Sequence, residues 1–215
     1  PLPDGSAVRP GKILCIGRNY ADHVREMGDV SAENVEPVVF LKPTTALVAD
    51  GGEIVLPKQS SDVHHELELV AVVGTGGRHI AEADALNHIA AYAIGLDLTA
   101  RDIQAAAKAN KAPWSIAKGF DTFAPFGPWI DTEFDPSDAV VTCRVNGQMR
   151  QMASTRDMVF SVGTIIAFIS SVMTLEPGDL IFTGTPAGVG ILTDGDEVTV
   201  DIEGLGVLSN PVKAA

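Results

Sequence analysis

Three observations predict an α+β fold in which strands dominate. Short apolar runs ending on glycine, proline or a polar turn recur at residues 12–17, 38–43, 53–57, 64–73, 89–96 and 180–183, with the length and punctuation of buried strands. Asn146-Gly147 joins two more candidates, 140–145 and 148–152, through the turn residues that suit the twist of a hairpin. Helical spacing is sustained only once, where Met158, Val162, Ile165, Ile166, Ile169, Val172 and Met173 mark the apolar face of a principal helix packed on the sheet. There is no internal repeat, and residues 1–215 read as one domain with an irregular, proline-containing lead-in over 1–10.

Composition narrows the function. With 46% hydrophobic and 20% charged residues the chain is globular and can bury a substantial core. No apolar run approaches the roughly 20 residues that cross a bilayer. A net charge of −13 and a pI near 4.6 argue against nucleic acid or an anionic membrane as partner, since both demand a dense basic patch; an anionic ligand would need a local cationic site. Pro1-Leu2-Pro3-Asp4-Gly5 lacks the basic start and apolar middle of a secretory signal, so a cytoplasmic location is expected. Cys15 and Cys143 have no metal-ligand spacing and read as buried free thiols.

In chain order, the strand at 12–17 stops at Gly17 and passes through Arg18-Asn19-Tyr20 into a short helix reaching Met27. Polar residues at the end of a buried strand are held rigidly yet accessible. His23 and Glu26, three apart, project from one helix face. A carboxylate beside an imidazole fixes its tautomer and favours its protonated form, as a general base requires; the same spacing also suits a surface pair. Lys42, before Pro43, is either an amphipathic strand terminus or an anion contact.

The run His64-His65-Glu66-Leu67-Glu68-Leu69-Val70-Ala71-Val72-Val73 holds an anomaly. As one strand it places Glu66 and Glu68 on the same face as Val70 and Val72. Paired carboxylates among apolar neighbours repel and lose solvation unless they share a proton, meet a cation or bind a metal ion. Either a divalent ion relieves both costs, or this is an edge strand with a wet face. A turn at 74–77 leads to a short helix over 82–88, and His79 and His88 read as structural or surface residues.

The strand 89–96 ends on Asp97, which suits a metal ligand or a turn into the next helix. Thr99 is expected to cap a helix over 100–111 that carries Arg101 and Gln104 on one face. Lys118, among Trp114, Ile116 and Phe120, either reaches water or is a cation kept for an anion. Ser154 and Asp157 form a capping-box pattern expected to open the long helix. In Gly184-Thr185-Pro186-Ala187-Gly188-Val189-Gly190 the glycines let amides approach a small anion, without the ending of a P-loop. Val198, Val200 and Ile202 alternate with Thr199 and Asp201 in a strand with one wet face.

Glu66, Glu68 and Asp97 form an oxygen-only ligand set, which implies a hard ion: Mg²⁺, Mn²⁺ or Ca²⁺ before Zn²⁺. With Arg18, Lys118 and the His23–Glu26 pair nearby, it suits a small anionic chelator such as a 2-oxo acid.

Gly17-Arg18-Asn19-Tyr20-Ala21-Asp22-His23, Phe40-Leu41-Lys42-Pro43, His64-His65-Glu66-Leu67-Glu68-Leu69, Leu96-Asp97-Leu98-Thr99-Ala100-Arg101-Asp102, Ala117-Lys118 and the 183–190 run resemble the fumarylacetoacetate hydrolase family, most closely its short acylpyruvase branch. The likeness extends from about residue 11 to the C-terminus. It implies a mixed β-roll or β-sandwich core with a few flanking helices, a homodimer, and Mg²⁺ or Mn²⁺ held by Glu66, Glu68 and Asp97. It further implies that His23 with Glu26 activates water, that Lys118 takes part in catalysis, and that Arg18, Lys118 and Thr185 hold the oxo-acid end. The position of Gln104 is linked in this branch to oxaloacetate decarboxylation. Substrate contacts are thus expected from Arg18, Lys42, Gln104 and Thr185. The activity implied is hydrolytic carbon–carbon cleavage of an acylpyruvate such as acetylpyruvate or fumarylpyruvate. Oxaloacetate decarboxylation or tautomerisation, and hydration or isomerisation of 2-oxo-dienoates, are alternatives on the same scaffold; a non-catalytic binder of metal and small acid is another.

Overall fold

The computed structural model describes residues 10–27, 36–130 and 133–215; the expected lead-in over 1–9 lies outside them. In chain order the elements are β1 (Ile13–Gly17), α1 (Ala21–Glu26), β2 (Val38–Lys42), β3 (Leu47–Ala49), β4 (Ile54–Leu56), β5 (Val63–His65), β6 (Leu67–Val73) and β7 (Ile89–Leu96). Then come β8 (Thr99–Ala100), α2 (Arg101–Ala109), α3 (Ser115–Lys118), β9 (Ala124–Ile130), β10 (Val140–Val145), β11 (Gln148–Ser154) and α4 (Val162–Val172). The chain closes with β12 (Leu180–Phe182), β13 (Gly190–Ile191), β14 (Glu197–Ile202) and β15 (Gly206–Ala214).

Among the described residues these strands form a seven-stranded sheet in the order β2-β1-β12-β6-β7-β9-β3, a five-stranded sheet β11-β10-β14-β15-β4 and a three-stranded sheet β13-β5-β8. Parallel contacts of β1 with β12, β3 with β9 and β15 with β4 interrupt otherwise antiparallel pairing, so the β-rich α+β architecture is mixed, as expected.

β6 is the centre of this arrangement. It lies between β12 and β7 and is buried throughout, which contradicts the edge-strand alternative. Leu67, Leu69, Ala71 and Val73 pack into one core, Val70 and Val72 into the other, and strands covered on both faces read as continuous apolar runs. The run expected as a single strand is nevertheless two. β5 pairs with β8 and β13 in the small sheet while β6 joins the large one. At the corner between them the Glu66 carbonyl accepts the Asp97 amide at 2.8 Å.

The 140–152 hairpin forms as expected, with Asn146 at φ 53° and Gly147 at φ 75° in the left-handed conformations that a primed turn requires. Two helix starts differ from expectation. Thr99 caps nothing: it pairs with His64 in β8, and α2 begins at Arg101. The Ser154–Asp157 capping box exists but closes a single 3₁₀ turn over Thr155–Asp157, and α4 starts instead behind Ser161. Asn19 explains the delay. Its carbonyl takes the Val159 amide at 2.8 Å and its Oδ1 takes the Phe160 amide at 2.7 Å, holding that backbone out of the helix.

Gly95 pairs with Glu68 across β6 and β7. A Cβ there would lie 2.5 Å from Phe182 Cε1 and 2.8 Å from Val70 Cγ2, so Gly95→Ala is expected to destabilise the fold by about 1–3 kcal/mol through overpacking. Urea unfolding checks this; an unchanged midpoint contradicts it. Cys15 and Cys143 are buried free thiols, and burial pushes Cys143 up to about 12, leaving it unreactive. Among the described residues no helix is long and apolar enough to cross a membrane.

Candidate active site

Antiparallel register assembles the acidic cluster. Leu67 pairs with Leu96 and Glu68 with Gly95, so Asp97, one residue beyond β7, arrives beside Glu66 at the β5–β6 corner. One oxygen from each of Glu66, Glu68 and Asp97 lies within 4.8 Å of the others. All three side chains are buried.

Three cations accompany the three carboxylates. Lys118, at the end of α3, donates to Glu66 Oε2 at 2.9 Å and Asp97 Oδ2 at 2.6 Å. Lys42, at the end of β2, lies 2.7 Å from Asp97 Oδ1. Arg101, opening α2, bonds Glu66 Oε1 and donates to Gln104 Oε1 at 3.0 Å. Glu68 is different. It accepts the Gly184 amide at 2.7 Å, and among the described residues it makes no ion pair.

The charges follow that division. Burial opposes ionisation of Glu66, but Arg101 and Lys118 outweigh it and hold the carboxyl well below the usual carboxylate range. For Glu68 burial acts together with the negative charges of Asp97 and Glu66, and pushes the carboxyl well above that range. A divalent cation among the three oxygens would supply the charge that Glu68 lacks. Donors that are all hard oxygen fit Mg²⁺ or Mn²⁺, so the arrangement can hold the expected ion.

The imidazole of His23 faces the same cavity as Glu66, Glu68, Asp97 and Lys118. Its Nδ1 stands 3.1 Å from Glu26 Oε2, and the Gly188 amide donates to Glu26 Oε1 at 3.0 Å. Because a carboxylate only accepts, Nδ1 carries the hydrogen and Nε2 is left able to accept a proton. The pair is therefore anchored from two elements, unlike a solvated surface pair. Arg18, Gln104 and Thr185 also line this cavity, with Arg18 at φ 64°, uncommon for a residue other than glycine.

Eight of the ten residues singled out from the sequence thus converge on one cavity, and Glu26 stands behind His23. Lys42 is the departure. It does not line the cavity: besides Asp97 it donates to Leu98 O at 2.9 Å and Lys118 O at 2.6 Å, so its ammonium orients Asp97 and the α3 end rather than meeting a substrate. The amides of 184–190 also differ from expectation, because Gly184 and Gly188 hold the protein's own Glu68 and Glu26. Sequence reasoning passed over Arg101 as a site residue, although its shared face with Gln104 was a usable signal. It also missed Gln151 and the cavity-lining Phe40, Lys108 and Trp114, for which no local pattern stood out.

The chain is similar to known proteins over nearly its whole length. Residues 12–213 match the model of the fumarylacetoacetate hydrolase C-terminal family. Human mitochondrial oxaloacetate tautomerase is 45% identical over 195 residues, covering 90% of this chain and 87% of the relative. The structure of fumarylpyruvate hydrolase from Pseudomonas aeruginosa, in complex with Mn²⁺ and pyruvate, superposes with a TM-score of 0.92 at 39% identity, covering 98% of this chain and 94% of the other. That of 2-hydroxyhepta-2,4-diene-1,7-dioate isomerase from Mycobacterium marinum gives 0.86 at 45% identity, covering 96% and 76%.

Proposed function

The chain belongs to the fumarylacetoacetate hydrolase C-terminal family, a family of enzymes, and from that premise we propose that it hydrolyses the carbon–carbon bond of acylpyruvates to pyruvate and a carboxylic acid. The observation that carries this reading is that the anchored His23–Glu26 pair and the acidic triad open on one cavity. Glu66, Glu68 and Asp97 would hold Mg²⁺ or Mn²⁺, which when bound supplies Lewis acidity for charge developing on a keto oxygen.

The rest falls to the chain's own groups. His23 Nε2 takes a proton from water, with Glu26 stabilising the imidazolium that results. The hydroxide adds to the distal acyl carbonyl, and the bond between that carbon and the methylene breaks. The acid leaves, and the enolate of pyruvate regains on its methylene carbon the proton that His23 took. Lys118, between Glu66 and Asp97, places a buried positive charge where the enolate forms.

Helix α2 supports a substrate of fumarylpyruvate type over acetylpyruvate. Arg101, Gln104 and Lys108 follow one helix face from the buried acids to the Trp114 ring, whose centroid lies 5.2 Å from Lys108 Nζ. Seven residues of helix span about 10 Å, a direction along which a second carboxylate would meet a cation. A second reading, oxaloacetate tautomerisation through that acid's own enolate, is favoured by the name of the human relative above; decarboxylation of oxaloacetate would give the same pyruvate enolate, and neither needs an attacking water.

Supplying acetylpyruvate, fumarylpyruvate and oxaloacetate side by side, with Mg²⁺ or Mn²⁺ and after chelation, distinguishes the readings. The expected result is pyruvate from the acylpyruvates, fastest from fumarylpyruvate, with at least a hundredfold loss on chelation. Turnover of oxaloacetate alone would overturn the hydrolytic reading.

A further inference from the structure

Gln151 is fully buried although its neighbours at 148–150 and 152 on β11 are exposed. Its amide makes four hydrogen bonds. Oε1 accepts the Leu67 amide at 3.1 Å and stands 3.0 Å from His65 Nδ1; Nε2 donates to Thr185 Oγ1 at 2.7 Å and Pro186 O at 2.8 Å. The orientation of the amide is not arbitrary. Leu67 N can only donate and Pro186 O can only accept, so the nitrogen must face the 185–186 turn. Gln151 thereby ties that turn to the corner that carries Glu66.

One consequence concerns the Thr185 hydroxyl. A hydroxyl that accepts from Gln151 keeps its own hydrogen for another partner, and among the described residues that hydrogen meets no acceptor. Thr185 is itself nearly buried and lines the cavity. A buried donor without an acceptor is costly, and an oxygen of a bound anion would satisfy it.

We propose that Gln151, outside the cavity, is a positioning residue that fixes Thr185 as a hydrogen-bond donor toward the anionic end of the substrate. This rests on the reading above that the cavity takes a 2-oxo acid. Were Gln151 absent, nothing would hold the Thr185 hydroxyl as an acceptor on that side, and its hydrogen could turn away from the anion and leave lone pairs facing it, which an anion repels.

Oxalate binding in the presence of Mn²⁺, read by calorimetry, tests this without turnover. Thr185→Val is expected to weaken oxalate about tenfold, in the range of a hydrogen bond to a charged group. Gln151→Met, uncharged and of similar length, is expected to weaken it about threefold or more. Added to Thr185→Val, Gln151→Met is expected to cost less than a further twofold, because its effect passes through the hydroxyl. Mn²⁺ affinity measured without oxalate should stay within about twofold in every variant. Losses that multiply, or that Mn²⁺ affinity shares, would make Gln151 a purely structural residue and overturn the proposal.

A second measurement does not require the variant to fold. A wild-type crystal structure with Mn²⁺ and oxalate is expected to show Thr185 Oγ1 bonded at once to Gln151 Nε2 and to an oxalate oxygen; loss of either contact overturns the proposal. Wild-type protein that binds no oxalate would contradict the 2-oxo acid reading and this proposal together, whereas binding with multiplicative losses contradicts this proposal alone.

Discussion

His23→Ala is expected to lower hydrolysis of acylpyruvates by a factor of about 10²–10⁴, the usual contribution of a positioned general base. The imidazole Nε2 faces the cavity, able to take a proton from water, while Nδ1 is held by Glu26. Mn²⁺ affinity should be nearly intact, since the triad draws its oxygens from Glu66, Glu68 and Asp97. Any decarboxylation of oxaloacetate, which needs no attacking water, should survive the change. Steady-state kinetics on both substrates, with metal titrations, read these expectations; unchanged hydrolysis would remove His23 from the mechanism.

Lys118→Met should strike stability and activity together. Lys118 is buried and bridges Glu66 and Asp97, and although burial works against its charge, those two carboxylates outweigh it and raise its pKa. Removing one partner of a buried ion pair leaves charge uncompensated, at a cost of about 3–5 kcal/mol. Saturating Mn²⁺ should recover more stability in the variant than it adds to the wild type, because a dication replaces part of the lost positive charge and binds only the folded form. Hydrolysis should remain deeply impaired even then, for want of the cation beside the enolate. Urea unfolding with and without Mn²⁺ measures the first effect. A variant as stable as the wild type without metal would mean that Lys118 does not hold the acids.

Much of this site was legible because local rules act on short stretches. Strand alternation set Glu66 and Glu68 apart from their apolar neighbours, a strand end marked Asp97, and helix spacing joined His23 to Glu26. Contacts across long separations were not legible. That Lys42 serves Asp97 depends on β2 and β7 belonging to one folded sheet, and a lysine before a proline carries no sign of it. Alternation alone does not foresee the corner at Glu66, where the chain changes sheets. The capping box at Ser154 forms but does not start the long helix, because Asn19, far away in sequence, holds the Val159–Phe160 backbone out of the helix. Gln151 was invisible for the same reason, since its four partners come from two other segments.

The most direct test is the anomalous scattering of Mn²⁺ in crystals of the wild-type protein soaked with oxalate. One ion is expected about 2.1–2.3 Å from an oxygen of each of Glu66, Glu68 and Asp97, with the His23 imidazole facing the same cavity. An ion bound elsewhere, or Glu66 and Asp97 that remain on Lys42, Lys118 and Arg101, and Glu68 on the Gly184 amide, without touching it, would contradict the account.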